Sequence, residues 1–180
     1  MDIIYRSIVK RLQTEIPELR WIDLEGGQLE APEESYPVQF PAVFIDFPSI
    51  QYQSLQRGAQ QGIATIAIRV AFDIYEDFHG TAPDIETAAN RLQLLNSIHK
   101  ALHGYSGMAL EVKNTEGEVT GYEDNYFSRM VRQSMTAEKR SDGLKVYEIS
   151  FLTNLRDRVA MPQVTQTTLD DIIVEKQTNV

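Results

Sequence analysis

An α+β fold, in which a mostly antiparallel β-sheet packs against two amphipathic α-helices, is predicted by three features of the sequence. Residues 2–16 and 82–103 carry apolar side chains at helical spacing. Around residues 65–75 the chain alternates between an apolar face and a small or polar one, the pattern of a strand covered on one side. Two strand-like stretches, 126–137 and 144–155, are joined through Ser141-Asp142-Gly143, a strong turn signal. Helices laid on a sheet bury all of these apolar faces in one core.

The first helix rests on Ile4, Ile8, Leu12 and Ile16, widened by Tyr5 and Val9, with Arg6, Lys10, Arg11 and Gln13 outside the stripe. Pro17 ends it, because proline lacks an N–H and pushes Ile16 out of the α region. Trp21-Ile22-Asp23-Leu24 is a short strand. Gly26-Gly27, Pro32, Pro37 and Pro41 make residues 25–40 a loop. Residues 42–47, AVFIDF, form an apolar strand stopped by Pro48. Residues 49–61, rich in Gln, are an extended hairpin or a flexible loop. In the next strand Ile66, Ile68, Val70, Phe72 and Ile74 face the core, opposite Thr65, Ala67, Arg69, Ala71, Asp73 and Tyr75.

Thr81 caps the second helix, with Pro83 in its first turn and Asp84 in the capping-box place. Its buried stripe is Ile85, Ala88, Leu92, Leu95, Ile98 and Leu102, and Gly104 stops it. Residues 109–113 are a strand and the acidic stretch 114–125 a loop. In the final hairpin Tyr147, Ile149, Phe151 and Leu155 share a face. The chain divides into one α+β domain, residues 1–158, and a polar tail, residues 159–180, that is either disordered or a docking arm.

Composition narrows the function. The 180 residues include 17 Lys+Arg and 26 Asp+Glu, a formal charge of −9, with 42% hydrophobic residues. These are globular proportions, too apolar for a disordered chain. With no cysteine, disulfide scaffolds, iron–sulfur clusters and thiol catalysis are excluded. No apolar run approaches the roughly 20 residues that span a bilayer, and the N-terminus does not read as a signal peptide. A soluble, cytoplasmic protein with no membrane partner is expected. Residues 21–56 hold Asp23, Glu25, Glu30, Glu33, Glu34 and Asp46 but no Lys or Arg. A surface built from them repels phosphates. The basic cluster Arg129, Arg132, Lys139 and Arg140 lacks an aromatic ladder for base stacking, so specific nucleic-acid binding is not expected.

The search for reactive chemistry returns little. His99 and His103, four apart on a helix, can flank a metal, but a third ligand is missing and Lys100 stands where a zinc protease has Glu. Their place near a helix C-terminus is explained by the helix dipole. There is no nucleophile elbow, phosphate loop or dinucleotide fingerprint. The expectation is therefore a non-enzyme with no cofactor, catalytic residue or metal site, acting through its surface.

The order of parts resembles the tail terminator, or tail completion, proteins of long-tailed bacteriophages across residues 4–157. The resemblance lies in the helix ending at Pro17, FPAVFIDF (40–47), QRGAQQG (56–62) and IATIAIRVAFDIYED (63–77). It continues in AANRLQLLNSIHKALHG (88–104) and LKVYEISFLTNLRD (144–157). Residues 105–125 and those beyond 158 exceed the compact members. The resemblance implies a homo-oligomeric ring, commonly a hexamer, at the end of the tail tube. Such a ring stops tube growth, contacts tube and head-connector proteins, and leaves a lumen for DNA. Location in the virion, and in the bacterial host cytoplasm during assembly, follows from it. Other neck, head–tail connector or tail tube proteins are the alternative within this class. A small enzyme or ligand-binding domain and a monomeric adaptor are the rivals outside it. On the ring reading, Asp23, Glu25, Glu30, Glu33, Glu34, Glu116 and Glu118 are candidates for an acidic lumen or surface. Gln56, Arg57, Gln60 and Gln61 are candidates for a subunit contact through strand pairing.

Overall fold

The structure is a computed structural model that describes residues 1–30, 37–55, 58–73, 85–107, 110–123 and 126–157. Along the chain run α1 (Asp2–Glu15), β1 (Trp21–Leu24), β2 (Ala42–Ser54), β3 (Gln60–Asp73), α2 (Ile85–Leu102), β4 (Leu110–Lys113), β5 (Val119–Glu123), β6 (Val131–Ala137) and β7 (Leu144–Asp157). Five strands form one sheet in the order β1-β2-β3-β7-β6, and β4-β5 pair separately. All pairs are antiparallel except β1–β2. That parallel pair explains the long 25–41 connection, since the chain must return to the starting end of the sheet before β2 begins. The α+β fold with two helices is as predicted.

Both helices cover one face. Ile4, Ile8 and Leu12 of α1, with Ile16, and Leu94, Leu95, Ile98, Ala101 and Leu102 of α2 pack on Val43, Ile45, Ile66, Ile68, Val70, Phe72, Ile149 and Phe151. Each fully buried Ile or Leu contributes about 1.5–3 kcal/mol. Ile16 leaves helical geometry at φ −137°, ψ 71°, as the residue before a proline should. Polar contacts tie α1 to α2 and to the segment after it: Arg11 Nε donates to the Ala101 carbonyl at 3.1 Å, and Ser7 Oγ and the Tyr105 hydroxyl lie 2.7 Å apart.

Four readings of the sequence are corrected. Pro48 does not end β2. It sits at a register shift between Asp46 and Ser49, where no ladder N–H is required, and the strand continues as one arm of the β2–β3 hairpin. The second face of the sheet is not merely small and polar. Leu29, Val38 and Phe40 pack with Ala42, Phe44, Ala71 and Val146, forming a smaller second core. Leu92 is not buried but 52% exposed. At 100° per residue it lies about 120° from Ile98, so Leu94 and Ala101 take its place in the stripe. Lastly, the 114–125 loop contains β5, paired with β4.

Ile74, Tyr75, His79, the Thr81-Pro83-Asp84 helix start and the 159–180 tail lie outside the described residues.

Candidate functional site

Three surface regions carry the residues singled out above. The first is the far end of the β2–β3 hairpin. Gln60 and Gln61 pair with Ser54 and Gln53 on one side and with Asp157 and Arg156 on the other. Their backbone is thus used within the chain, and strand pairing with a neighbour is closed to them. Only their side chains can reach a partner. Around them Tyr52, Leu55 and Ile63 are about half exposed, an unusual density of bare apolar side chains at one end of a sheet. A cleft of about 560 Å³ opens beside them, lined by Gln61, Tyr126, Ser128, Arg129 and Arg156 among others. Gln56 and Arg57 lie outside the described residues.

The second region gathers charge from three parts of the chain. Arg69 points from the middle of β3 to the second face, 13% exposed. Its Nη1 reaches Glu25 at 2.7 Å, Nη2 reaches Glu30 at 2.7 Å, and Nε donates to Glu138 at 2.8 Å. Arg140 contacts the same Glu30 at 3.0 Å and Glu138 at 3.5 Å, pairs with Asp142, and donates to the Leu29 carbonyl at 2.7 Å. The hydrogen bond from Arg69 holds the carboxyls of Glu30 and Glu138 below the ordinary range, and that from Arg140 does so for Asp142. Their carboxylates in turn raise both guanidinium pKa values, Glu138 acting most on Arg69 and Asp142 on Arg140. This network clasps the 25–30 loop to β3 and to the β6–β7 turn. Glu25 and Glu30 are therefore neutralised within the molecule. Sequence reasoning missed the network, although its signal was visible: Arg69 is the single cation of its strand, set between the small side chains Ala67 and Ala71 on the second face. Asp23 is engaged locally, accepting the Leu24 N–H at 2.8 Å and Gln28 Nε2 at 3.3 Å. Glu33 and Glu34 lie outside the described residues.

The third region is the β4–β5 ribbon. Glu116 and Glu118 sit exposed in its turn, where Asn114 Oδ1 accepts both their N–H groups at 3.0 and 2.9 Å. Gly117 supplies the left-handed residue, φ +83°, that this turn needs.

His99 and His103 stack edge to face with centroids 5.0 Å apart. Burial first, and then Arg132, lowers the His99 pKa. His103 Nδ1 accepts the Arg132 N–H at 3.3 Å. Among the described residues, no three His, Asp or Glu side chains gather as a metal site. A second cleft, of about 540 Å³, lies between α2 and the sheet end and is lined by Arg20, Phe40, Phe72, Arg91 and Leu94 among others. Neither cleft sets a histidine beside a serine or threonine hydroxyl. No helix of the described residues is long and apolar enough to cross a membrane.

The sequence matches no family model and no curated protein. Among solved structures, the fold is similar to a chain of the "Virion of native gene transfer agent (GTA) particle". The TM-score is 0.51 at 7% identity, covering 87% of this chain and 96% of that one. At that identity the likeness is one of fold.

Proposed function

We propose that this chain is a structural subunit of a phage-like particle, and within that class a tail terminator that closes the tail tube as a homo-oligomeric ring. The observation that carries the reading is the fold likeness to a virion chain over nearly the whole of both molecules. The surface supports it: bare Tyr52, Leu55 and Ile63 at the hairpin end, flanked by Gln60 and Gln61, suit contact with a neighbouring subunit or the tube. Work of this kind needs broad contacts and no reactive group. A chain of net charge −9 also suits a channel that lets DNA through without holding it. Since Glu25 and Glu30 are spent on arginines, they add little to such a lumen. Glu116 and Glu118 keep their charge exposed. Residues 1–158 form the assembling domain on this reading, and 159–180 a tail or docking arm.

The test is polymerisation of a phage tail tube protein in the presence of this chain. Added protein should cap tubes at one end and stop their growth. Unchanged tube lengths and bare tube ends by electron microscopy would reject the terminator role. Lateral incorporation along the tube would transfer the chain to the tube-protein alternative.

A further inference from the structure

Beyond the hairpin end, the sheet finishes on its other side in β6, and all seven residues of that strand are exposed. Among the described residues β6 pairs only with β7. The start of its outer edge is covered by the segment after α2, where the Gly104 N–H donates to the Met130 carbonyl at 2.8 Å, the Met130 N–H to the Tyr105 carbonyl at 2.8 Å, and the Arg132 N–H to His103. Beyond Arg132 that edge faces no strand among the described residues. Natural edge strands are commonly guarded by proline, by lysine or by a covering element. VRQSMTA has neither proline nor lysine. Its guards are Arg132 and the register shift between Arg132 and Ser134, and it leaves Val131 and Met135 half bare, at 47% and 49%. Arg132 lies in the strand and Arg129 and Lys139 flank it in sequence, while the one acid of the run, Glu138, is taken by Arg69 and Arg140.

The β4–β5 ribbon has the opposite character. It stands outside the five-stranded sheet, so both of its outer edges lack a strand among the described residues. A lone two-stranded ribbon is at best marginally stable in water. Residues 110–123 carry Glu111, Glu116, Glu118 and Glu123 against Lys113, a net charge of −3.

We propose that the β4–β5 ribbon of one copy adds to the open β6 edge of a neighbouring copy, extending the five-stranded sheet across the contact. Backbone pairing supplies the affinity, and glutamates facing arginines set the direction. Ribbon and edge are different surfaces, so the contact is head-to-tail and closes into a ring when the rotation per copy permits. The proposal rests on the self-assembly of the preceding section but not on the hairpin end. It assigns Glu116 and Glu118 to a partner subunit in preference to a lumen.

The absence of cysteine makes the test clean. Copies carrying Glu116→Cys and one tag are mixed with copies carrying Gln133→Cys and another, then treated with a short bismaleimide. A cross-linked product bearing both tags is expected. In parallel, Arg132→Glu with Lys139→Glu should weaken association about tenfold, as should Glu116→Lys with Glu118→Lys, and all four changes together should restore it. Cross-linking found only within one chain, when both cysteines are placed on it, overturns the proposal in favour of a ribbon folded on its own edge. Wild-type oligomers of normal mass with no mixed-tag product overturn this contact and leave the ring standing. A chain that stays monomeric at every concentration, even with tube protein, overturns both.

Discussion

Replacing Arg69 with alanine removes the centre of the charge network and tests whether it holds the second face of the sheet. Arg69 is 13% exposed and bridges Glu25, Glu30 and Glu138 at 2.7–2.8 Å. Breaking a fully buried pair costs about 3–5 kcal/mol, because the remaining charge is stranded, whereas an exposed pair is worth under about 1 kcal/mol. Glu25 is largely buried but Glu30 is 49% exposed, and Arg140 remains to neutralise Glu30 and Glu138. The expected loss is therefore intermediate, about 2–3 kcal/mol, or roughly 5–10 °C in Tm for a domain of this size. The pH dependence gives an independent check. Glu30 and Glu138 lie below their ordinary value of 4.5 in the folded state. Their contribution is thus complete above that value and disappears as pH falls through the lowered folded pKa. Urea unfolding of wild type and Arg69→Ala at pH 7 and at pH 3 should show the gap narrowing on acidification. A loss below about 0.5 kcal/mol at pH 7, or a gap of equal size at both pH values, refutes the reasoning.

Other substitutions probe the packing. Gly107 has φ +77°, and a Cβ there would meet the Phe127 ring at 2.5 Å, so Gly107→Ala should cost about 1–3 kcal/mol by urea titration. The two leucines of α2 should separate sharply. Leu92→Glu should change stability by no more than about 0.5 kcal/mol, while Leu95→Ala should lose about 2–5 kcal/mol, both read by thermal melts.

Much of the architecture was legible because local periodicity and local breakers decide it. Ile4, Ile8 and Leu12 named the face of α1, Pro17 its end, and Ser141-Asp142-Gly143 the last turn. What escaped depends on partners distant in sequence. Pro48 reads as a terminator until the cross-strand register shows an irregularity beside it. Leu92 reads as core until Leu94 and Ala101 are found facing the sheet. The parallel β1–β2 pair and the Arg69 network join residues about 20 to 110 positions apart, and no window of sequence displays that closeness. The candidate contact residues were legible only as a polar, Gln-rich excursion. That Gln60 and Gln61 lie between two strands, and that β6 is the bare edge, are properties of the sheet order.

The central claim is that this molecule works by joining copies of itself. Native mass spectrometry of the purified 180-residue chain, alone and with tube protein, tests it most directly. The account predicts one closed species whose mass is a fixed small multiple of 20.5 kDa, visible as a ring by electron microscopy. A monomer under both conditions, or an open-ended ladder of masses with no preferred size, would contradict it.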